Sequence, residues 1–361
     1  MNTTVSLGGI NPKWGWKPNE SDAMEWFPTV IDNELKDGYY ELSEDKVLVT
    51  FHSMAAVNVG HLMWDDFFPI FTLMNMFQME KNDLVLVRYV LKNRPRALWA
   101  TCDLRDKTLD LCNSFFKKFL PLMGVKSDVQ FSTNDSSLNI SIGPQKSKYV
   151  CAPKAAAGIG MLSDHGLKLH GWVKKDYEQT HNIGRGPVMY EFRNYMMRNI
   201  GLDPTPKVRS MLPRRIVFSI LSSTDPERST RFTAQIAALK SAFKGDNTVL
   251  VEEYEFSHLA LQKQVEVAAT ASVLITACGG GAFTSMFLPS GAGLVLYYPD
   301  KPRSHKKGGH HGDPARLDWD FLNNMGYARV HWLPISLMNS EHDLDMLVKL
   351  VMHELETISH H

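Results

Sequence analysis

Two clusters of residue types in this chain could do chemistry. The first holds Asn58, His61, Asp65 and Asp66 in the run NVGHLMWDD. His61 and Asp65 are four residues apart, so on a helix they share a face and one can orient the other. That pairing suits a general base that takes a proton from an attacking group. The same residues also fit an ordinary helix start, where acidic side chains favour the dipole. The second cluster is Cys278, Gly279, Gly280 and Gly281. Glycines leave backbone N–H groups uncovered, and residues 282–288 behind them read as a helix N-terminus with partial positive charge, a place to put phosphate. A tight turn with no ligand has the same composition.

Two cations strengthen the phosphate reading. Arg228 and Arg231, in TDPERSTRF, flank a predicted helix start, where positive charge opposes the dipole. A bound diphosphate gives them a reason to be there, because guanidinium forks match its oxygens. The alternative is a solvated turn shared with Asp225 and Glu227. Other candidates are weaker. His305, His310, His311 and Asp313 have metal-ligand chemistry but no regular spacing, and no metal is expected. The pairs Asp318/Asp320 and Asp343/Asp345 sit in helical stretches and not at a strand end, which argues against a metal–diphosphate role. Cys278 has no evident histidine partner and reads as a small buried residue more than as a nucleophile.

The elements that must position these groups follow from periodicity. Residues 271–300 read as a buried strand ending at Cys278, the glycine turn, a short helix stopped by Pro289 and Gly291, and a second strand at 293–298. Before this unit come a strand at 215–221, a helix at 229–243, a strand at 247–251 and a helix at 258–271. After it come a basic glycine-rich loop at 301–316, a short helix at 317–325, a strand at 329–333 and a helix from Ser340. Asp343 is placed there for a capping box. The front half reads as strands at 46–51, 83–91 and 148–151, with helices after the first strand and at 109–122. Residues 1–45 are an irregular aromatic arm, and residues 154–185 a long loop. In that loop Ser163 and His165, with Arg193 on the helix predicted at 187–200, are the acceptor-side candidates. The run DPTP from Asp203 and the basic residues after it mark a domain boundary. The expected plan is therefore an arm at 1–45, an α/β lobe at 46–204, a second α/β lobe at 205–338 and a helix at 339–361 that bridges back. Two such halves predict a cleft between them.

Composition excludes several function classes. Lys plus Arg and Asp plus Glu number 39 each in 361 residues, so nothing favours sequence-independent nucleic-acid binding or an anionic membrane surface. No apolar run reaches the roughly 18 residues a membrane helix needs, and the first thirty residues lack a signal-peptide core. The chain reads as soluble, with any membrane attachment left to a segment outside it. Four sequons, at Asn2, Asn19, Asn134 and Asn139, favour a lumenal compartment. Cys102, Cys112, Cys151 and Cys278 lack zinc or thioredoxin-like spacing.

Taken together, several motifs resemble glycosyltransferase family 61. They are Phe192 and Arg193 in a helix, a strand followed by Arg231, Gln264 before the glycine strand, the run CGGGAFTSMFLPSGAGLVLYYP, and Asn58, His61 and Asp65 at their spacing. The similarity spans about residues 45–335. It implies a GT-B fold, with two Rossmann-like lobes facing each other across a cleft, and inverting transfer without an obligatory metal or cofactor. It also implies a UDP-sugar donor, a glycan or glycoprotein acceptor and a home in the secretory pathway lumen, Golgi or ER. The base is then Asp65 or His61, with Asn58 beside them. The donor side is Arg228, Arg231, Gln264, Cys278 and Gly279 to Gly281. Two departures stand out. The family has His-Gly-Ala-Gly where this chain has Cys278 and three glycines, and a family arginine near residue 221 is replaced by Leu221 or Ser222. The first departure motivates the alternative of a non-catalytic carbohydrate-binding or scaffold protein. A GT-B enzyme of another family using a GDP-sugar is a further one.

Overall fold

The computed structural model describes residues 5–6, 25–26, 39–52, 59–81, 83–89, 114–125, 149–157, 186–222, 229–300, 321–322 and 325–360. The chain divides into two units, Met1–Asn182 and Ile183–His361. The sequence-based boundary near residue 205 lies inside the second unit. The helix Gly186–Asn199, expected in the first lobe, belongs with the second because its buried face, Met189, Phe192 and Met196, packs there.

In the first unit, β4 (Lys46–His52) runs parallel to β5 (Asp83–Tyr89) on one side and to β7 (Ala155–Ala157) on the other. Val47, Val49 and Phe51 alternate into the core. β6 (Tyr149–Cys151), expected as the third strand of this sheet, instead pairs with β3 (Tyr39–Glu41), inside the stretch read as an irregular arm. The true third strand is the alanine run at 155–157, read from sequence as the start of a loop. Its ladder with Leu48–Thr50 outweighs the poor intrinsic strand preference of alanine. Farther upstream, β1 (Val5–Ser6) and β2 (Glu25–Trp26) form an antiparallel pair.

The apolar segment after β4 is helical but not uniformly α. A turn, α1 (Val59–His61), passes into a π-helix at Leu62–Phe67 and then into α2 (Phe68–Met76). Pro69 lies in the first turn of α2. It has no N–H to donate to the preceding turn, and a change to i→i+5 bonding directly upstream accommodates that loss. Leu62, Met63, Trp64 and Phe67 are fully buried, with Trp64 stacked on Phe68 at 5.3 Å. Residues 114–119 are helical and continue into a 3-10 turn, Leu120–Met123, so the helix expected at 109–122 is described only in its second part.

The second unit is a five-stranded parallel sheet of β8 (Arg214–Ser219), β9 (Val249–Tyr254), β10 (Val273–Ala277), β11 (Gly293–Tyr298) and β12 (Arg329–Pro334). The strand order is β12-β11-β10-β8-β9. Every residue of β10 is buried, and β11 is buried up to Tyr297, as expected for central strands covered on both faces. The edge strand β9 leaves Leu250 and Glu253 exposed. The described helices of this unit include α3 (Gly186–Asn199), α4 (Thr233–Ala242), α5 (Leu261–Ala269) and α6 (Glu341–His360). Among the described residues no helix is long and apolar enough to cross a membrane.

On one face of this sheet, aromatic rings of Phe218, Phe232 and Tyr297 contact one another in sequence at 5.7 and 5.4 Å. The Tyr297 hydroxyl donates to the carboxylate of Asp343, which is fully buried. The same carboxylate accepts from the Gln235 side-chain amide at 3.1 Å and from the Asn339 backbone N–H at 3.3 Å. One carboxylate thus ties β11, α4 and the start of α6 together, with neutral donors throughout. The capping expectation for Asp343 holds for its backbone, which donates to Ser340 Oγ at 3.1 Å. Its side chain points to this inner network instead of back to the cap residue.

Candidate active site

An open parallel sheet binds ligands beyond the carboxyl ends of its strands, where neighbouring connections leave in opposite directions. In the order β12-β11-β10-β8-β9, the chain moves outward from β8 to β9 and then crosses back to β10. The switch point therefore lies between β8 and β10. Both strands end in unusual backbone. After β8, Leu221 has φ of 49° and Phe232 has φ of 53°, left-handed values that bulky residues seldom adopt. The Leu221 N–H donates to the Thr230 carbonyl at 2.8 Å, which closes the base of the loop between them. Such conformations persist only where surroundings over-determine them, and they cluster at ligand sites.

After β10 comes the glycine corner. Gly279 has φ of 135°, a conformation open to glycine and strained for other residues. The segment Gly280–Phe287 that follows is a 3-10 helix, not the α-helix expected. Its first closing bond runs from the Ala282 N–H to the Gly279 carbonyl. The amides of Gly280 and Gly281 precede that bond, where a helix start has donors without intrahelical partners. Gly281 faces Ser222: a Cβ there would stand 2.2 Å from the Ser222 carbonyl oxygen. The corner after β10 and the loop after β8 are therefore in direct backbone contact across the switch point. Gly279 and Gly281 are partly exposed, whereas Cys278 and residues 282–288 are buried. The corner is a rim of accessible backbone on a packed base.

The 3-10 helix is anchored at its other end. The Tyr327 hydroxyl donates to the Met286 carbonyl, and Arg193 Nε donates to the Phe287 carbonyl at 3.2 Å. Arg193 is 1% exposed and also donates to the Pro204 carbonyl and to Asn194 Oδ1. Burial lowers its pKa, and the neighbouring Tyr327 and Tyr190 rings oppose that shift. The guanidinium lies over the Tyr190 ring, 5.4 Å from its centroid.

The family model described as Glycosyltransferase 61 matches residues 59–295. The chain belongs to glycosyltransferase family 61. The match includes α1, the π-helix, the loop after β8 and the glycine corner, and it assigns the protein glycosyltransferase activity. The chain is also similar to the E. coli heptosyltransferase WaaC with ADP, at 9% identity over 88% of this chain and 100% of that one, with a TM-score of 0.37. A second similar structure is the glycosyl transferase family 9 from Veillonella parvula DSM 2008, at 12% identity over 89% and 98% of the two chains, with a TM-score of 0.33. No curated protein matches.

The candidate residues of this family 61 enzyme are placed unevenly. Gly279, Gly280 and Gly281 lie at the switch point. Arg231 is exposed and sits between Thr230 and Phe232 at the end of the loop after β8, two residues before α4 starts. The helix expected from Ser229 begins only at Thr233 because Phe232 is left-handed. Gln264 is buried and donates to the Leu259 carbonyl, so its side chain braces the start of its own helix. Cys278 is fully buried and outside any disulfide, and its N–H donates to the Tyr297 carbonyl. Arg193 lies within the second unit and holds backbone carbonyls there, a different placement from the acceptor side of a first lobe.

His61 ends α1 and Asp65 lies in the π-helix. The four-residue face argued for them rests on α geometry, and the i→i+5 bonding of Leu62–Phe67 replaces that geometry. π-helical turns are frequent at functional sites, which is a signal of its own for this segment. The side chains of His61 and Asp65 lie outside the described residues, as do Asn58, Ser163, His165 and Arg228 in full. So do His305, His310, His311 and Asp313. Among the described residues no three His, Cys, Asp or Glu side chains form a metal-holding group. Sequence reasoning missed the Leu221 and Phe232 conformations and the Ser222–Gly281 contact. None of them has a residue-type signature.

Proposed function

We propose that this glycosyltransferase moves a sugar from a UDP donor to a hydroxyl of a glycan or glycoprotein, with inversion at the anomeric carbon and without a metal. In the step, the acceptor oxygen bonds to the anomeric carbon as the bond from that carbon to the diphosphate oxygen breaks. The hydroxyl proton goes to a base, Asp65 or His61, and UDP leaves with the bonding pair. Without a metal, the negative charge growing on the diphosphate needs fixed donors. The amides at Gly279 to Gly281 and the guanidinium groups of Arg228 and Arg231 are assigned that role.

The observation that carries this reading is the backbone contact between Gly281 and Ser222 at the β8–β10 switch point. It brings an amide-rich corner beside the loop that ends in Arg231, at the place where such sheets receive phosphate. A GT-B arrangement and a secretory pathway lumen are part of the same proposal and rest on the family. A panel of UDP-sugars offered with oligosaccharide acceptors tests it. Transfer or slow hydrolysis of at least one UDP-sugar is expected. Activity with GDP-sugars alone would overturn the donor assignment, and binding without any turnover would favour a non-catalytic descendant.

A further inference from the structure

A fully buried guanidinium without a carboxylate is costly to keep, because desolvation of the charge is met only by neutral acceptors. Among the described residues Arg193 is in that position: the acceptors it bonds there are the carbonyls of Phe287 and Pro204 and the side-chain oxygen of Asn194. Its location gives the charge a use. Phe287 ends the 3-10 helix whose first residues are the glycine corner. A cation at the carboxyl end of a helix complements the partial negative charge of its last carbonyls. The Tyr327 hydroxyl takes the neighbouring Met286 carbonyl. The Tyr327 ring packs on Tyr190 at 5.0 Å, and Tyr190 in turn lies beneath the guanidinium.

We infer that Arg193, with Tyr327, is a positioning residue for the glycine corner: it clamps the far end of the Gly280–Phe287 helix and thereby fixes where the amides of Gly280 and Gly281 point. The helix is only eight residues long, so displacement at Phe287 is passed to the corner within a few turns. Inside the helix, Ser285 Oγ donates to the Ala282 carbonyl at 2.6 Å and Thr284 Oγ1 to the Gly281 carbonyl at 3.1 Å. These bonds make the segment behave as one piece. Donors aimed at developing charge help only if they are held before the reaction. The inference that this aim serves an anionic leaving group rests on the function proposed above; the clamp itself does not.

The test uses the full chain and the variants Tyr327→Phe, Arg193→Lys and Arg193→Met. Tyr327→Phe keeps the ring stack and removes one donor, so it is the variant expected to keep the fold. Amide hydrogen exchange at residues 282–288 is expected to speed up at least threefold in Tyr327→Phe while amides of α5 are unchanged. Arg193→Met should exceed that factor, with Arg193→Lys between the two. Exchange at 282–288 equal to wild type in all three variants would overturn the clamp, as would an equal rise in α5. In turnover, the inhibition constant of UDP should rise at least threefold in Tyr327→Phe with the acceptor KM unmoved. A parallel rise in both would make the effect merely structural. If the wild-type protein binds no UDP, the leaving-group reading falls, and the exchange experiment still decides the clamp.

Discussion

Gly281 and Ser222 approach so closely that the smallest side chain on the glycine would stand 2.2 Å from the serine carbonyl oxygen. The atom in the way is backbone, so relief requires the loop after β8 or the corner after β10 to move. Both carry groups assigned to the leaving diphosphate. Gly281→Ala is therefore expected to lower kcat/KM for the donor by about 10²-fold or more, in line with the ~2.7–4 kcal/mol effect of losing a single oxyanion donor. Steady-state kinetics with the donor varied will check it, and a variant with wild-type donor kinetics would show that the contact has no bearing on the reaction.

The base is the second point of attack. Asp65→Asn and His61→Ala test the two candidates, and removal of a general base typically costs about 10²- to 10⁴-fold. At least one variant should fall in that range in kcat at saturating donor, while UDP affinity stays near wild type. Two variants with near-native turnover would remove this segment from the mechanism.

Asp343 is expected to matter for stability. Its carboxylate is buried and collects Tyr297, Gln235 and the Asn339 N–H. Asp343→Ala strands those donors, each stranded donor costing about 1–3 kcal/mol. Burial raises the Tyr297 pKa first, and the adjacent Asp343 charge raises it further, so that hydroxyl stays protonated and keeps its need for an acceptor. Denaturant unfolding should show a loss of about 3 kcal/mol or more. Tyr297→Phe, which removes one donor and leaves the carboxylate its others, should cost less.

Much of the second unit is legible in the sequence. The apolar runs at 215–221, 273–278 and 293–298 read as buried parallel strands, and the first of them ends two residues earlier than its pattern suggests, at Ser219. The alanine run at 155–157 does not read as a strand, because alanine carries no strand signal and only its pairing with Leu48–Thr50 makes it one. The π-helix at Leu62–Phe67 was hidden for a related reason: an apolar pattern reports burial, not which carbonyl each N–H selects. Within the candidate site, the glycine corner shows in composition. The role of Arg193 does not, since it depends on Tyr327 and Phe287, both far along the chain.

A pH response should come from Glu354. Burial alone would raise its pKa, but hydrogen bonds from His331 at 2.9 Å and Arg329 at 2.8 Å outweigh that and hold it below the usual glutamate range. A carboxylate with a depressed folded-state pKa contributes stability that is complete above its unfolded-state pKa and lost as pH falls through the folded one. Unfolding free energy should therefore decline as pH falls below the ordinary glutamate range. Glu354→Gln should flatten part of that decline and cost about 2 kcal/mol at neutral pH. A variant with the wild-type acid slope would show that other carboxylates carry it.

On the function proposed, the β8–β10 switch point receives a uridine diphosphate. Thermal unfolding of the wild-type protein and of Arg231→Ala, each with UDP and with GDP, addresses it directly. UDP at a hundred times its dissociation constant should add about 2.7 kcal/mol to the wild type. GDP at the same concentration should add much less, and the UDP gain should shrink in Arg231→Ala. No stabilisation of the wild type by UDP, or equal stabilisation of both proteins, would rule out a uridine diphosphate site held by Arg231 at this switch point.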